Sequence, residues 1–221
     1  MDLMTFTQEL IDLLSDKFLL KHEFYQKWNS GEIPIESLQL YAKQYFNHVE
    51  AFPRYVSATH SNCKFLAARQ VLLDNLIDEE KGAENHPELW IRFAEGIGVK
   101  REEMGRSELM EEIKNLVDSF LGFAKSSYAE GLGALLAYEY QVPQVAEFKI
   151  KALKQHYDIS DSRTLQFFDV HQKADVYHTD ALRSLLDNLS PEEKKLSSKA
   201  AKVTADNLWK FLDGIYKTVH A

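Results

Sequence analysis

The chain has 221 residues, with 9 glycines, 5 prolines, one cysteine and a formal net charge of −8. That length predicts a single domain over residues 1–221, and so little glycine and proline suits helices better than turn-rich sheets. The negative charge argues against a nucleic-acid partner, and the lone Cys63 excludes an internal disulfide framework. No apolar run is long enough to cross a membrane, and the start MDLMTFTQELIDLL lacks the basic region of a signal peptide, so a cytoplasmic location is expected.

In chain order, the first amphipathic stretch runs from near Thr5 to Leu20, with Phe6, Leu10, Ile11, Leu13 and Leu14 as its apolar stripe. A short helix over Lys21–Asn29 stops at Ser30-Gly31. Pro34 opens the next, to about Ser61, which Pro53 should kink. Lys64–Glu80 reads as helix and breaks at Gly82; His86–Gly96 is short, and Ser107–Ser127 is amphipathic. Glu130–His156 reads as one long element whose early part, GLGALLAYEYQVP, is almost wholly apolar and therefore central. Ser162–Leu186 follows. The last helix, to about Val219, opens on a capping box, with Ser190 at the N-cap, Pro191 at N1 and Glu193 at N3. No stretch alternates long enough for a strand. The expectation is an all-α bundle of about seven helices.

Three side chains stand out on Ser162–Leu186. His171, Asp175 and His178 lie at i, i+4 and i+7, which at about 100° per residue is an arc of roughly 60°. Either this is a solvated helix face or three ligand types share one metal-facing side. Glu139 is the lone carboxylate of the central apolar stretch, and an ionised carboxylate there needs a compensating cation from a neighbouring helix. In DEEKGAENH, residues 78–86, Glu79 and His86 lie seven apart across Gly82; the plain reading is a helix end and a charged loop, the functional one a third pair of ligands. Together Glu79, His86, Glu139, His171, Asp175 and His178 make three carboxylates and three imidazoles, a set suited to two ions. Mixed N/O donors without thiolate favour iron or manganese, Fe/Fe or Mn/Fe, over structural zinc. Open positions on such a centre point to O2 chemistry with an external reductant. The spacing is not the Glu-x-x-His pair of ferritin-like bundles.

Six segments then match one family in collinear order: HEFYQKW (22–28), LQLYAKQY (38–45), AFPRYVSATHSNC (51–63), LLDNLIDEEKGAENHPELW (72–90), ALLAYEYQVP (134–143) and HQKADVYH (171–178). The chain resembles the family of the chlamydial protein associating with death domains, in the TenA/PqqC group. The match is weakest over 95–125 and the last thirty residues. The resemblance implies a heme-oxygenase-like helical fold, a di-metal oxygenase, and supply of p-aminobenzoate for folate from a tyrosine of the protein itself. Carried over by motif, Tyr25 would be the sacrificed residue, Tyr41 and Tyr138 accessory tyrosines, and Lys149 the amine donor. It also implies a homodimer and leaves a host death-domain protein as a partner. Read without the family, Tyr25 is an ordinary core aromatic and Lys149 a surface cation. Thiamine hydrolysis fits less well, since Cys63 is not on the central helix, and a metal-free quinone-forming oxidase fits poorly with so acidic a chain. Oxygenation of an external small molecule would use the same six ligands. A deep apolar tunnel would favour that; a nearly sealed site around Tyr25 would favour self-sacrifice.

Overall fold

The computed structural model describes the backbone of residues 4–220 and their side chains, apart from those of 173–176, 219 and 220. Among the described residues there are ten α-helices, three short 3-10 turns and no strand. The helices are α1 (Phe6–Leu14), α2 (Glu23–Asn29), α3 (Ile35–Asn62), α4 (Leu66–Glu80), α5 (His86–Gly96), α6 (Glu111–Ser126), α7 (Tyr128–Glu139), α8 (Val142–His156), α9 (Ser162–Asp187) and α10 (Pro191–His220). No helix of the described residues is long and apolar enough to cross a membrane.

The all-α expectation holds; against an expected count of about seven there are ten α-helices, because each of the nine stretches that read as helical forms its own helix and one of them is split in two. The first amphipathic stretch ends at Leu14, and Ser15–Lys17 and Leu19–Lys21 follow as separate 3-10 turns. The expected single element Glu130–His156 is two helices. Pro143 lacks an N–H and cannot continue the ladder of α7. At the break the Gln141 N–H turns to the Tyr138 carbonyl, and the Gln141 side chain donates to the Ala137 carbonyl at 2.7 Å. The same side chain accepts the Leu19 N–H at 2.7 Å, so one amide both ends α7 and ties down the 3-10 turn before α2. Pro53 lies inside α3, which runs through it as one helix. The capping box at α10 is present: Glu193 N–H to Ser190 Oγ at 3.3 Å and Ser190 N–H to Glu193 Oε2 at 2.9 Å.

The apolar helix is central, as its composition predicts. Every α7 residue from Gly131 to Glu139 is buried, and α7 packs on α3, α6, α9 and α10. A Cβ at Gly131 would collide with the Thr59 side chain, and one at Gly133 with the Ser197 backbone carbonyl. These two positions allow α3 and α10 to close on α7, and they place Glu139, the last residue of α7, deep in the bundle.

Candidate metal and tyrosine site

On α4, Asn75, Asp78 and Glu79 fall at i, i+3 and i+4, so they share a face. Asn75 and Glu79 are buried. The chain then reverses at Gly82, whose φ of +86° is a conformation glycine adopts without strain, and Asn85 Nδ2 closes the turn on the Gly82 carbonyl at 2.9 Å. Asn85 also caps α5 by accepting the Glu88 N–H. This fold-back returns His86 onto Glu79, with Nδ1 and Oε2 2.6 Å apart, both side chains buried.

α9 brings His171 to the same point, its ring 4.2 Å from that of His86. His171 Nδ1 lies 2.7 Å from the Phe167 carbonyl, which can only accept, so Nδ1 carries the hydrogen and Nε2 presents its lone pair. Burial, then the neighbouring His86, hold His171 well below the usual imidazole range, so it is neutral. Glu79, His86 and His171 offer ligand atoms that all lie within 4.8 Å of one another. A carboxylate and two imidazoles, one with its tautomer locked for coordination and none accompanied by thiolate, fit a metal of the iron or manganese type.

The other expected ligands stand one contact away. Glu139 accepts from Asn75 Nδ2 at 3.0 Å, and Asn75 is one turn before Glu79. His178, buried two turns beyond His171, meets Asp78 Oδ2 through Nε2 at 3.0 Å. α4 therefore touches both, but through Asn75 and Asp78 rather than through Glu79. The side chain of Asp175 lies outside the described residues. Asn75 and Asp78 were missed by the sequence reading; their i and i+3 spacing ahead of Glu79 is the signal that was there.

Next to this cluster is an aromatic cage. Tyr25 on α2 and Tyr41 on α3 are fully buried, with hydroxyls 3.0 Å apart. Lys149 on α8, buried rather than on the surface, donates from Nζ to the Tyr41 hydroxyl at 2.8 Å. Its Nζ lies 5.0–5.7 Å from the ring centres of Tyr25, Trp28, Tyr41, Tyr45, Trp90 and Phe168, close enough for cation–π attraction. Burial pulls the lysine down to about 7 and pushes the Tyr25 and Tyr41 phenols up. Tyr138 is the hydrogen-bond partner of Tyr45, not of Tyr25: Tyr45 donates to its hydroxyl at 2.9 Å. Tyr45 also stacks on Tyr41, with ring centres 5.2 Å apart, and was not singled out in the sequence. A cavity of about 20 Å³, room for one water, joins the two regions; Tyr25, Tyr45, Tyr138, Lys149 and His171 are among its walls.

A helical bundle of heme-oxygenase-like architecture with a buried imidazole–carboxylate cluster defines a class of helical oxidoreductases. Residues 39–207 match the family of iron-containing redox enzymes, and the chain belongs to that family. It is 40% identical over 211 residues to a 4-aminobenzoate synthase of Chlamydia muridarum, covering 95% of this chain and 89% of that protein. A 4-aminobenzoate synthase of Nitrosomonas europaea is 37% identical over 225 residues, covering 96% and 92%. Among solved structures, a TenA homolog of Pseudomonas syringae pv. tomato superposes with a TM-score of 0.82 at 18% identity, over 96% and 93% of the two chains, a likeness of fold.

Proposed function

We propose that this chain is a metal-dependent, O2-using enzyme that makes 4-aminobenzoate, the aromatic piece of folate, from its own Tyr25. The observation that carries the reading is the buried chain Lys149 Nζ–Tyr41 hydroxyl–Tyr25 hydroxyl in a cage that shares its cavity with His171. The names of relatives near 40% identity support the product. The cavity supports an internal source, because about 20 Å³ does not admit a second aromatic ring beside Tyr25.

Glu79, His86 and His171 would hold one metal ion, and Glu139, Asp175 and His178 would complete a pair, Fe/Fe or Mn/Fe. The bound metals would supply O2 activation with electrons from an external reductant. The residues of the chain do the rest. A tyrosine ring with its Cβ already has the carbon skeleton of the product. The changes needed are oxidative cleavage of Cα–Cβ with Cβ becoming the carboxylate, and replacement of the phenol oxygen, which leaves as water, by a nitrogen released from Lys149 through oxidative cleavage of its Cε–Nζ bond, with O2 as the oxidant for both cleavages. Lys149, lowered to about 7, is in large part a free amine at neutral pH and so has a lone pair to offer. Tyr41 sits between amine and phenol: it can take a proton from Nζ, which donates to it, while passing its own to the Tyr25 oxygen, leaving the amine its lone pair. The enclosing rings keep water from competing for the oxidised ring.

The test is protein carrying ring-13C tyrosine, loaded with iron or manganese and iron, then given O2 and reductant. Labelled 4-aminobenzoate, at no more than one per chain, with a matching mass loss at Tyr25 is expected; Tyr25→Phe should yield none. Unlabelled product, or undiminished product from Tyr25→Phe, would point to an external substrate and sink the reading.

A further inference from the structure

Tyr25 lies on a helix of only seven residues, and a short helix takes its stability from its ends and its packing rather than from propensity. Its N-cap is His22, where Ser, Thr, Asp or Asn are the usual residues. The His22 ring is buried and has two distinct jobs. Nδ1 accepts the Phe24 N–H at 3.0 Å, closing the first turn of α2. Nε2 meets Asp213 Oδ1 on α10 at 3.1 Å, and a carboxylate there accepts a hydrogen. Both contacts are satisfied by one tautomer, the neutral ring with hydrogen on Nε2. The ring also packs edge-on against Trp209 of α10, with centres 4.7 Å apart.

The rest of the segment is held by the burial of Phe24, Tyr25 and Trp28 against Tyr41 and Phe148 and by a small set of polar contacts. Leu19 N–H is tied to Gln141, Tyr216 of α10 donates to Glu23 at 2.7 Å, and at the far end Gly31 turns the chain at a φ of +73°.

We propose that His22 is the positioning residue for Tyr25: its neutral Nε2–H form caps α2 and clamps it to α10, and protonation at Nδ1 turns the cap acceptor into a donor and releases the helix from the cage. The step is a proton transfer from solvent to Nδ1 and nothing else. The charged groups facing the ring are Asp213 from α10, Glu23 beside it on α2, and Lys17 from the preceding 3-10 turn, which is itself drawn to Trp209 and Asp206. Burial, the largest influence, lowers His22 below the usual imidazole range, while Asp213 raises it. The latch is therefore closed at neutral pH and opens as the solution is acidified below the ordinary histidine range. The role of Tyr25 as the reacting ring rests on the function proposed above; the latch itself does not.

The test is amide hydrogen exchange of the intact protein, corrected for the intrinsic pH dependence, comparing residues 23–29 with α7 as an internal reference. In the wild type, protection of α2 should fall between pH 7 and pH 5 while α7 is unchanged. His22→Ala should lose on the order of fivefold protection over α2 at pH 7, the worth of one cap, with no further loss at pH 5. His22→Asn, which can cap but has no proton to gain, should restore most of the protection and be flat with pH. Asp213→Asn, on the half-exposed face, should move the acid limb to lower pH, a response a purely structural contact does not give. Unchanged α2 protection in His22→Ala at pH 7, or an acid limb that survives in His22→Asn, overturns the proposal. If these patterns appear but ring label from Tyr25 never reaches 4-aminobenzoate, the latch stands and the proposed function falls.

Discussion

Around Glu79, the helices α4, α5 and α9 bury imidazole against carboxylate: His86 on Glu79 at 2.6 Å, and His178 on Asp78 at 3.0 Å. Across a cavity of about 20 Å³, α2, α3 and α8 bury an amine with no carboxylate paired to it among the described residues; a phenol and six aromatic rings take that place. The first arrangement is built to hold positive charge, since imidazoles and a carboxylate are metal donors. The second is built to shed it, since rings and phenols stabilise an ammonium only weakly and Lys149 falls to about 7. The contrast teaches that one bundle interior can gather donors suited to a cation and, on the wall of the same small cavity, an amine surrounded by rings; His171 and Lys149 both line it.

The sharpest break of that contrast is on the charge-holding side. His171→Ala removes an imidazole whose tautomer is locked by a backbone carbonyl. It is expected to abolish metal at one site and all oxidation, checked by metal analysis of the purified variant and by product assay. Unchanged metal content would count against His171 as a ligand.

On the other side, Lys149→Met keeps volume and removes the charge. Because burial lowers Lys149 from 10.5 to about 7, the unfolded chain binds more protons between those two values, and stability of the wild type rises with pH across that window. Below pH 7 both states hold the proton and the full penalty remains. Lys149→Met should therefore be more stable than wild type by roughly 2–4 kcal/mol near pH 6, after loss of the Tyr41 contact, with the difference closing towards pH 10. It should form no 4-aminobenzoate while keeping its metal. Denaturant unfolding at several pH values reads this; a variant less stable than wild type at pH 6 would show that Lys149 is held more favourably than its surroundings suggest.

The smallest effect is expected at the seam. Asn75→Leu removes a donor that meets Glu139 at 3.0 Å. Loss of such a supporting contact is expected to cost about 10- to 100-fold in metal affinity, measured by competition with a chelator, with folding retained.

How much of this was legible beforehand varies residue by residue. The helical class, the buried α7 and the capping box at Ser190 follow from local pattern, which is why they were readable. The split after Glu139 was half-readable: Pro143 signals a break, but the Gln141 side chain that closes it also needs Leu19, 122 positions away. His171 was legible from its spacing, whereas its pairing with Glu79 and His86 depends on the reversal at Gly82. Lys149 read as a surface cation from sequence because nothing in AEFKIKAL says that α2 and α3 will cover it. Tyr45 and His22 stood at the edges of matched segments, but no role could be read for them because their partners, Tyr138 and Asp213, lie far away in the chain.

The sequence by itself determined which stretches are helical and which face of each is apolar, because helix formation and amphipathic patterning depend on neighbours within about one turn. It also determined the supply of donors, imidazoles and carboxylates without thiolate. Only the tertiary structure decided which of them meet, which lysine loses its water, and that His22 rather than a serine or aspartate seats the helix of Tyr25. Those outcomes depend on distances between side chains far apart in the chain, and burial and coordination are set by where whole helices pack.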